Sequence, residues 1–177
     1  MHLPHASSIV AWAPSPAFTV TGLALCVVTA ALLVAAILGA SAYESVVVSY
    51  SWSARPEQAV GHYRALGAIV TPARYFRRLA PLSQLALVVA VIWSAVVGVA
   101  LGWTAAALMA MLLADIITFT FHYPRNRALF VDPMLPASRI EAIAREWRRG
   151  NAARTALVAV AFLALLRALW LVARRAA

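Results

Sequence analysis

Four apolar runs constrain this chain more than anything else in it. They extend from about Phe18 to Ala42, Leu82 to Leu101, Trp103 to Phe121 and Ala152 to Val172. Each approaches the ~20 residues a helix needs to cross the hydrocarbon core of a bilayer. In lipid, every backbone N–H and C=O must be satisfied within the segment, which leaves helices and closed barrels as the only spanning structures. Runs of this length without strict alternation predict helices. The expected fold class is an all-α membrane protein, a single domain over residues 1–177 built as a four-transmembrane-helix bundle.

Composition agrees with that constraint. Hydrophobic residues make up 64% of the 177 positions and charged residues only 12%, against roughly 45–50% and 25% in soluble domains. Cys26, the single cysteine, lies inside the first run, so an internal disulfide and a cysteine-based zinc finger are both excluded. The tail from Met1 to Pro16 carries His2 and His5 but no Lys or Arg. It lacks the basic start of a signal peptide, and the first run reads as a retained helix. Gly102 alone separates the second and third runs, which predicts a tight antiparallel hairpin.

All fifteen basic residues other than histidine are arginine, and the net charge is +9. Twelve of them fall between Arg55 and Arg154, in the first and third connections or at the mouth of the fourth helix. The hairpin turn and the N-terminal tail have none. By the positive-inside rule both connections are cytoplasmic and both termini extracytoplasmic, with Arg167, Arg174 and Arg175 voting the other way. The expected setting is a bacterial inner membrane. Because the arginines flank spans, anionic lipid headgroups are their natural partner and no nucleic acid is expected.

The connections have structure of their own. Ser138-Arg139-Ile140-Glu141 has the spacing of a capping box. Ile140, Ile143, Ala144 and Trp147 then recur at helical intervals, which predicts a short amphipathic helix lying in the cytoplasmic interface. A similar helix is expected from Pro56 to Leu66, with Pro56 in its first turn and Gly67 at its stop. Thr71-Pro72 restarts a helix that carries Arg74, Tyr75 and Phe76 into the second span, where Pro81 is a kink position.

Polar groups at membrane depth are expensive and usually face an interior or a water-filled cavity. Two such clusters meet here. His122-Tyr123-Pro124-Arg125-Asn126-Arg127 closes the third run, and Trp147-Arg148-Arg149-Gly150-Asn151 with Arg154 opens the fourth. Up-down topology brings them to one membrane face together with Glu44 and His62. Asp115, Thr118, Phe119 and His122 sit at i, i+3, i+4 and i+7, one helix face. Trp147, Asn151 and Arg154 share a face if the helix runs through Gly150.

These residues carry a resemblance. Thr118 with Tyr123-Pro124-x-Asn126-Arg127-x-Leu129, followed by Trp147-x-x-x-Asn151-x-x-Arg154-Thr155, resembles the paired pattern of small four-helix membrane proteins related to fungal anthrone oxygenases. It covers Ile116 to Leu165 best and Tyr43 to Pro81 only loosely, through Glu44, Trp52 and the Pro72 to Phe76 segment. The family pattern more often has histidine where this chain has Asn151, which removes one candidate base. The resemblance implies a membrane-embedded oxidoreductase, an oxygenase of a hydrophobic aromatic or enolisable small molecule, working without flavin or haem. A base, donors for an oxyanion and a water-excluding slot would be needed. On that reading His122 is the base, oriented by Asp115 or Thr118. Asn126, Asn151 and Arg154 hold the oxyanion, and Tyr123, Trp147 and Arg148 bind the substrate.

Other readings of the same residues stay open. Glu44, His62, Asp115 and His122 are the oxygen and nitrogen donors of an iron, copper or zinc enzyme, though no pair has a diagnostic spacing. A non-enzymatic membrane subunit, alone or as a homo-oligomer, would spend its polar groups on one another and leave no pocket. Asp115 then pairs with an arginine such as Arg154, and His122 complements a helix dipole. Trp147 becomes an interfacial anchor, Asn126 and Asn151 cap or bridge helices, and Glu44 marks the water boundary. Arg167 snorkels to the outer interface. Tyr63 and Arg64 read as solvated loop residues.

Overall fold

The computed structural model describes residues 16–69, 73–131 and 135–176. The helix restart at Thr71-Pro72 and the tail before Pro16 lie outside these residues. Among the described residues seven α-helices follow one another: α1 (Pro16–Tyr43), α2 (Ser49–Ala54), α3 (Pro56–Gly67), α4 (Ala73–Val97), α5 (Leu101–Ile117), α6 (Tyr123–Val131) and α7 (Ala137–Ala176). Two wide π-helical turns, Glu44–Val48 and Thr118–His122, join α1 to α2 and α5 to α6 without a break. The result is four helical columns, each long and apolar enough to cross a membrane. No strand occurs among the described residues.

The columns close into a ring. α1 packs on α4, α4 on α5, α5 on α7, and α7 back on α1. Chain order makes every neighbour antiparallel, the up-down-up-down arrangement of a four-helix bundle. Its core is built on small residues. Ala107, Ala110 and Ala114 of α5 and Ala161, Ala164 and Ala168 of α7 repeat at the same three-four spacing and are buried in one cluster. Lipid tails are as apolar as leucine, so burying Leu gives little advantage there; close backbone approach and dispersion hold the helices together. Leu23, Leu87, Met111 and Leu165 fill the space between them, while other large side chains point outward, among them Leu25, Leu32, Leu85, Ile92, Leu113 and Leu163.

A second, separate core caps the arginine-rich end. Trp52, Val60, Leu129, Ile140, Ile143 and Trp147 bury one another where α2, α3, α6 and the first turns of α7 meet. Pro56 opens α3 at its first position, where its missing N–H costs no hydrogen bond.

Several expected boundaries shift. Gly102 is not the hairpin turn: α4 ends at Val97, and Gly98 (φ +71°) and Ala100 (φ +62°) turn the chain before α5. The interfacial helix and the fourth span are one 40-residue helix, α7. Ser138 is not its cap. The helix begins at Ala137, Pro136 C=O accepts from the Arg139 and Ile140 amides, and Glu141 pairs with Arg145 instead. Trp147 is not an interfacial anchor either, being 4% exposed at the centre of the second core.

Candidate active site at the junction of the two cores

Both π turns lie at the level where the bundle meets its cap. In each, an amide reaches back five residues: Ser49 N–H to Glu44 C=O, and Tyr123 N–H to Thr118 C=O. Such a turn takes up one extra residue and rotates everything after it by about 100°, one residue of helix. It therefore undoes the single face expected for Asp115, Thr118 and His122. Asp115 lines one cavity, His122 another, and Thr118 touches both.

The fourth column can pass this level only because position 150 has no side chain. A Cβ on Gly150 would overlap the Phe121 ring, which lies against the α7 backbone. Arg125 clamps that ring in place. Its guanidinium stacks 3.5 Å from the ring centroid, donates to Phe121 C=O at 3.0 Å and pairs with Glu146 at 2.7 Å. His122, the next residue, is thereby driven inward to 1% exposure.

His122 is enclosed by aromatic edges. Its ring meets Trp147 at 4.9 Å and Phe121 at 5.6 Å, and Trp147 meets Trp52 at 4.8 Å. Neither imidazole nitrogen completes a well-formed hydrogen bond, although the Gly150 backbone stands nearby. Neither expected orienting group reaches it: Thr118 Oγ1 donates to Ala114 C=O at 2.9 Å, and Asp115 accepts from Gln84 Nε2 at 2.6 Å.

Around it the other polar side chains find at least some of their partners, although Asn151 Oδ1 is buried without one. Arg154 donates to Glu44 Oε2 at 2.5 Å, a buried ion pair between α7 and the first π turn. Asp115 is thus not the partner of Arg154. The Arg154 Nε–H, also buried, has no partner. Asn126 Oδ1 accepts from Trp147 Nε1 at 2.8 Å, which fixes the indole and leaves the amide nitrogen as the group Asn126 can offer. Asn151 is fully buried and turned toward α1, donating to Ser45 Oγ at 2.7 Å. Ser45 gives its one proton to Ser41 C=O at 2.9 Å, so in its 3.0 Å contact with Thr155 it accepts. Asn151 therefore tethers the first π turn to α7 and lines neither cavity, contrary to its expected place on the oxyanion.

The outer cavity has a volume of about 570 Å³. Glu44, His122, Asn126, Trp147 and Arg154 line it, with Tyr123 at its rim and Trp52, Phe76 and Phe130 among its aromatic walls. Tyr63 and Arg64 belong to it too and are not solvated loop residues. Tyr63 packs against Trp52 and Phe130, and Arg64 Nε donates to Leu129 C=O at 2.7 Å. Burial, with a smaller contribution from the Glu44 carboxylate, pushes the Tyr63 phenol above its ordinary range, so it remains a neutral donor.

Two expected members stand apart. His62 is exposed on α3, and Arg148 is exposed on α7; neither lines the cavity. Among the described residues no three His, Cys, Asp or Glu side chains gather closely enough to hold a metal ion, so Glu44, His62 and His122 do not form the ligand set considered above. Gln84, Ser41 and Ser45 were missed from the sequence. The serines had a signal, since Ser41, Ser45 and Ser49 recur every fourth residue in an apolar run. Compared with family models, curated proteins and solved structures, the chain matches none of them.

Proposed function

We propose that this protein is a membrane-embedded oxidoreductase that oxygenates a hydrophobic, enolisable aromatic molecule, in the manner of anthrone oxygenases. One observation carries the reading: His122 is buried in an aromatic cavity with an imidazole nitrogen free to accept a proton, beside an unpartnered Arg154 Nε–H. Groups that complete no bond of their own are the ones a ligand can complete.

The chemistry those two groups support balances without a further reductant. His122 takes a proton from a doubly benzylic CH2 that is conjugated through the ring to a carbonyl. Arg154 Nε–H, with the Asn126 amide, donates to the enolate oxygen that results. The electron-rich carbon then reduces molecular oxygen and forms a C–O bond. The hydroperoxide so formed loses water to give a second carbonyl. One CH2 and one O2 become one C=O and one H2O. Trp147 and Tyr123 bound the slot that holds the flat substrate and excludes water.

The non-catalytic alternative, in which convergent polar groups are spent on one another, accounts for Glu44, Asn126 and Asp115. It leaves the cavity, His122 and Arg154 Nε without a purpose. Oxygen uptake by the purified protein in nanodiscs, with anthrone supplied in the lipid, separates the two. The enzyme consumes one O2 per anthraquinone formed; a subunit gives the uncatalysed rate.

The arginine distribution orients the site toward the cytoplasm of a bacterial inner membrane, with both termini outside. Reporters fused at Gly102 and at the C-terminus should both register outside, and a cytoplasmic signal from either reverses the orientation.

A further inference from the structure

A second cavity, about 370 Å³, lies deeper in the bundle. Phe76, Thr118, Tyr123 and Arg154 line both cavities, so the two meet at these side chains. Arg154 itself sits 5.2 Å from the Phe76 ring centroid. On its inner side the deeper cavity is walled by Ile37, Met111 and Val158; on its outer side it is bounded by Phe119, 59% exposed, between α4 and α5. It thus reaches the lipid-facing surface of the bundle. Nothing in the proposed oxygen chemistry uses it.

Its lining is mostly apolar, and polar side chains enter it from Ser41, Arg77, Gln84, Asp115, Thr118 and Arg154. Asp115 and Gln84 face each other across α5 and α4 at 2.6 Å, and the Gln84 Oε1 is buried without a partner. A lone buried acceptor in a low-dielectric cavity is costly unless something donates to it. Gln84 Oε1 cannot donate, so the missing partner must. Arg77 lines the same cavity and Arg154 is already paired with Glu44, and a hydroxyl donates there without adding a charge that must be desolvated. The donor that fits is a neutral hydroxyl.

Asp115 precedes His122 by seven residues, about 10 Å along a helix. We propose that the Asp115–Gln84 pair is a second recognition point, binding the hydroxyl of an elongated apolar molecule that comes from the lipid between α4 and α5 and whose other end reaches the His122 cavity. This rests on the outer cavity being a ligand site and deepens it: the molecule carries a hydroxyl about 10 Å from the group presented to His122.

The test uses the full chain in nanodiscs and a long-chain primary alcohol bearing a diazirine about 10 Å from the hydroxyl, a spacing set by the helix rise. Its methyl ether is the matched control. On illumination the alcohol should label the segment around His122 and Trp147 at least fivefold more than the ether does. Gln84→Met should bring alcohol labelling down to the ether's level. Equal labelling by the two probes, or full labelling of Gln84→Met, overturns the proposal. If Gln84→Met does not fold, competition on the wild type decides: unlabelled 1-dodecanol should suppress labelling and its methyl ether should not, and equal suppression by both overturns it. Labelling without oxygen uptake would remove the oxygenase reading alone. Uptake that depends on His122, with no hydroxyl preference in labelling, would remove this inference alone.

Discussion

The bundle and its cap are held together in opposite ways. In the bundle, alanines at three-four spacing let α5 and α7 approach, and many bulky aliphatic residues face outward. In the cap, Trp52 meets Trp147, Tyr63 and Phe130 edge to face, and the cluster is framed by arginine pairs. Lipid offers no hydrophobic drive between helices, so packing distance decides; near water, aromatic area and charge complementarity decide. A register suited to one is wrong for the other. The two π turns fall where the columns change from one regime to the other, and the candidate site occupies that boundary. Strained or irregular helix at a site is a recurring association.

The largest effect is expected where the boundary is electrostatic. Arg154→Leu leaves the Glu44 carboxylate buried and unpaired, which should destabilise the protein by about 3–5 kcal/mol. The Glu44→Leu/Arg154→Leu double variant should recover most of that loss, since it removes both charges together. Reversible unfolding in micelles measures both. A double variant as unstable as Arg154→Leu would mean that the pair is not the connection between α7 and the first π turn.

A smaller effect separates a boundary glycine from a bundle glycine. Gly150→Ala forces the Phe121 ring off α7 and should cost about 1–3 kcal/mol, the usual range for overpacking. Gly39→Ala, in α1 with open space around it, should be neutral or gain a few tenths of a kcal/mol from helix propensity alone, within the ~1 kcal/mol Gly–Ala difference. Equal thermal shifts for the two would contradict the close packing at Gly150. Smallest is the hairpin: Ala100 sits at φ +62°, so Ala100→Gly should stabilise by about 1 kcal/mol through relief of left-handed strain. A fall in melting temperature would show that the turn draws stability from the Ala100 methyl group.

The same division governs what the sequence could show. Bundle architecture was legible because span length and apolar content are set by the bilayer, whatever the neighbours. The convergence of Glu44, His122, Asn126, Trp147 and Arg154 was legible too, because antiparallel neighbours bring fixed helix ends together. The π turns were not. A wide turn in Glu44–Val48 has no residue signature, and it reassigns faces downstream, which is why Asp115 and His122 were wrongly placed on one line. Asn151 was misassigned for a related reason: its partner Ser45 lies on α1's π turn, over a hundred residues away. Gly102 looked like the hairpin because glycine marks turns, yet Gly98 and Ala100 take the left-handed positions. Gln84 carried no warning in sequence, since a single amide in a span reads equally well as a helix-bridging group.

The central claim is that His122 moves a proton, and the rate of His122→Ala in nanodiscs, read beside its melting temperature, tests it most directly. General acid–base groups contribute roughly 10²–10⁴-fold. The account predicts that anthrone-dependent oxygen uptake falls at least 10²-fold, with the melting temperature near that of the wild type and partial rescue by added imidazole. Uptake at the wild-type rate in a folded His122→Ala protein would contradict it.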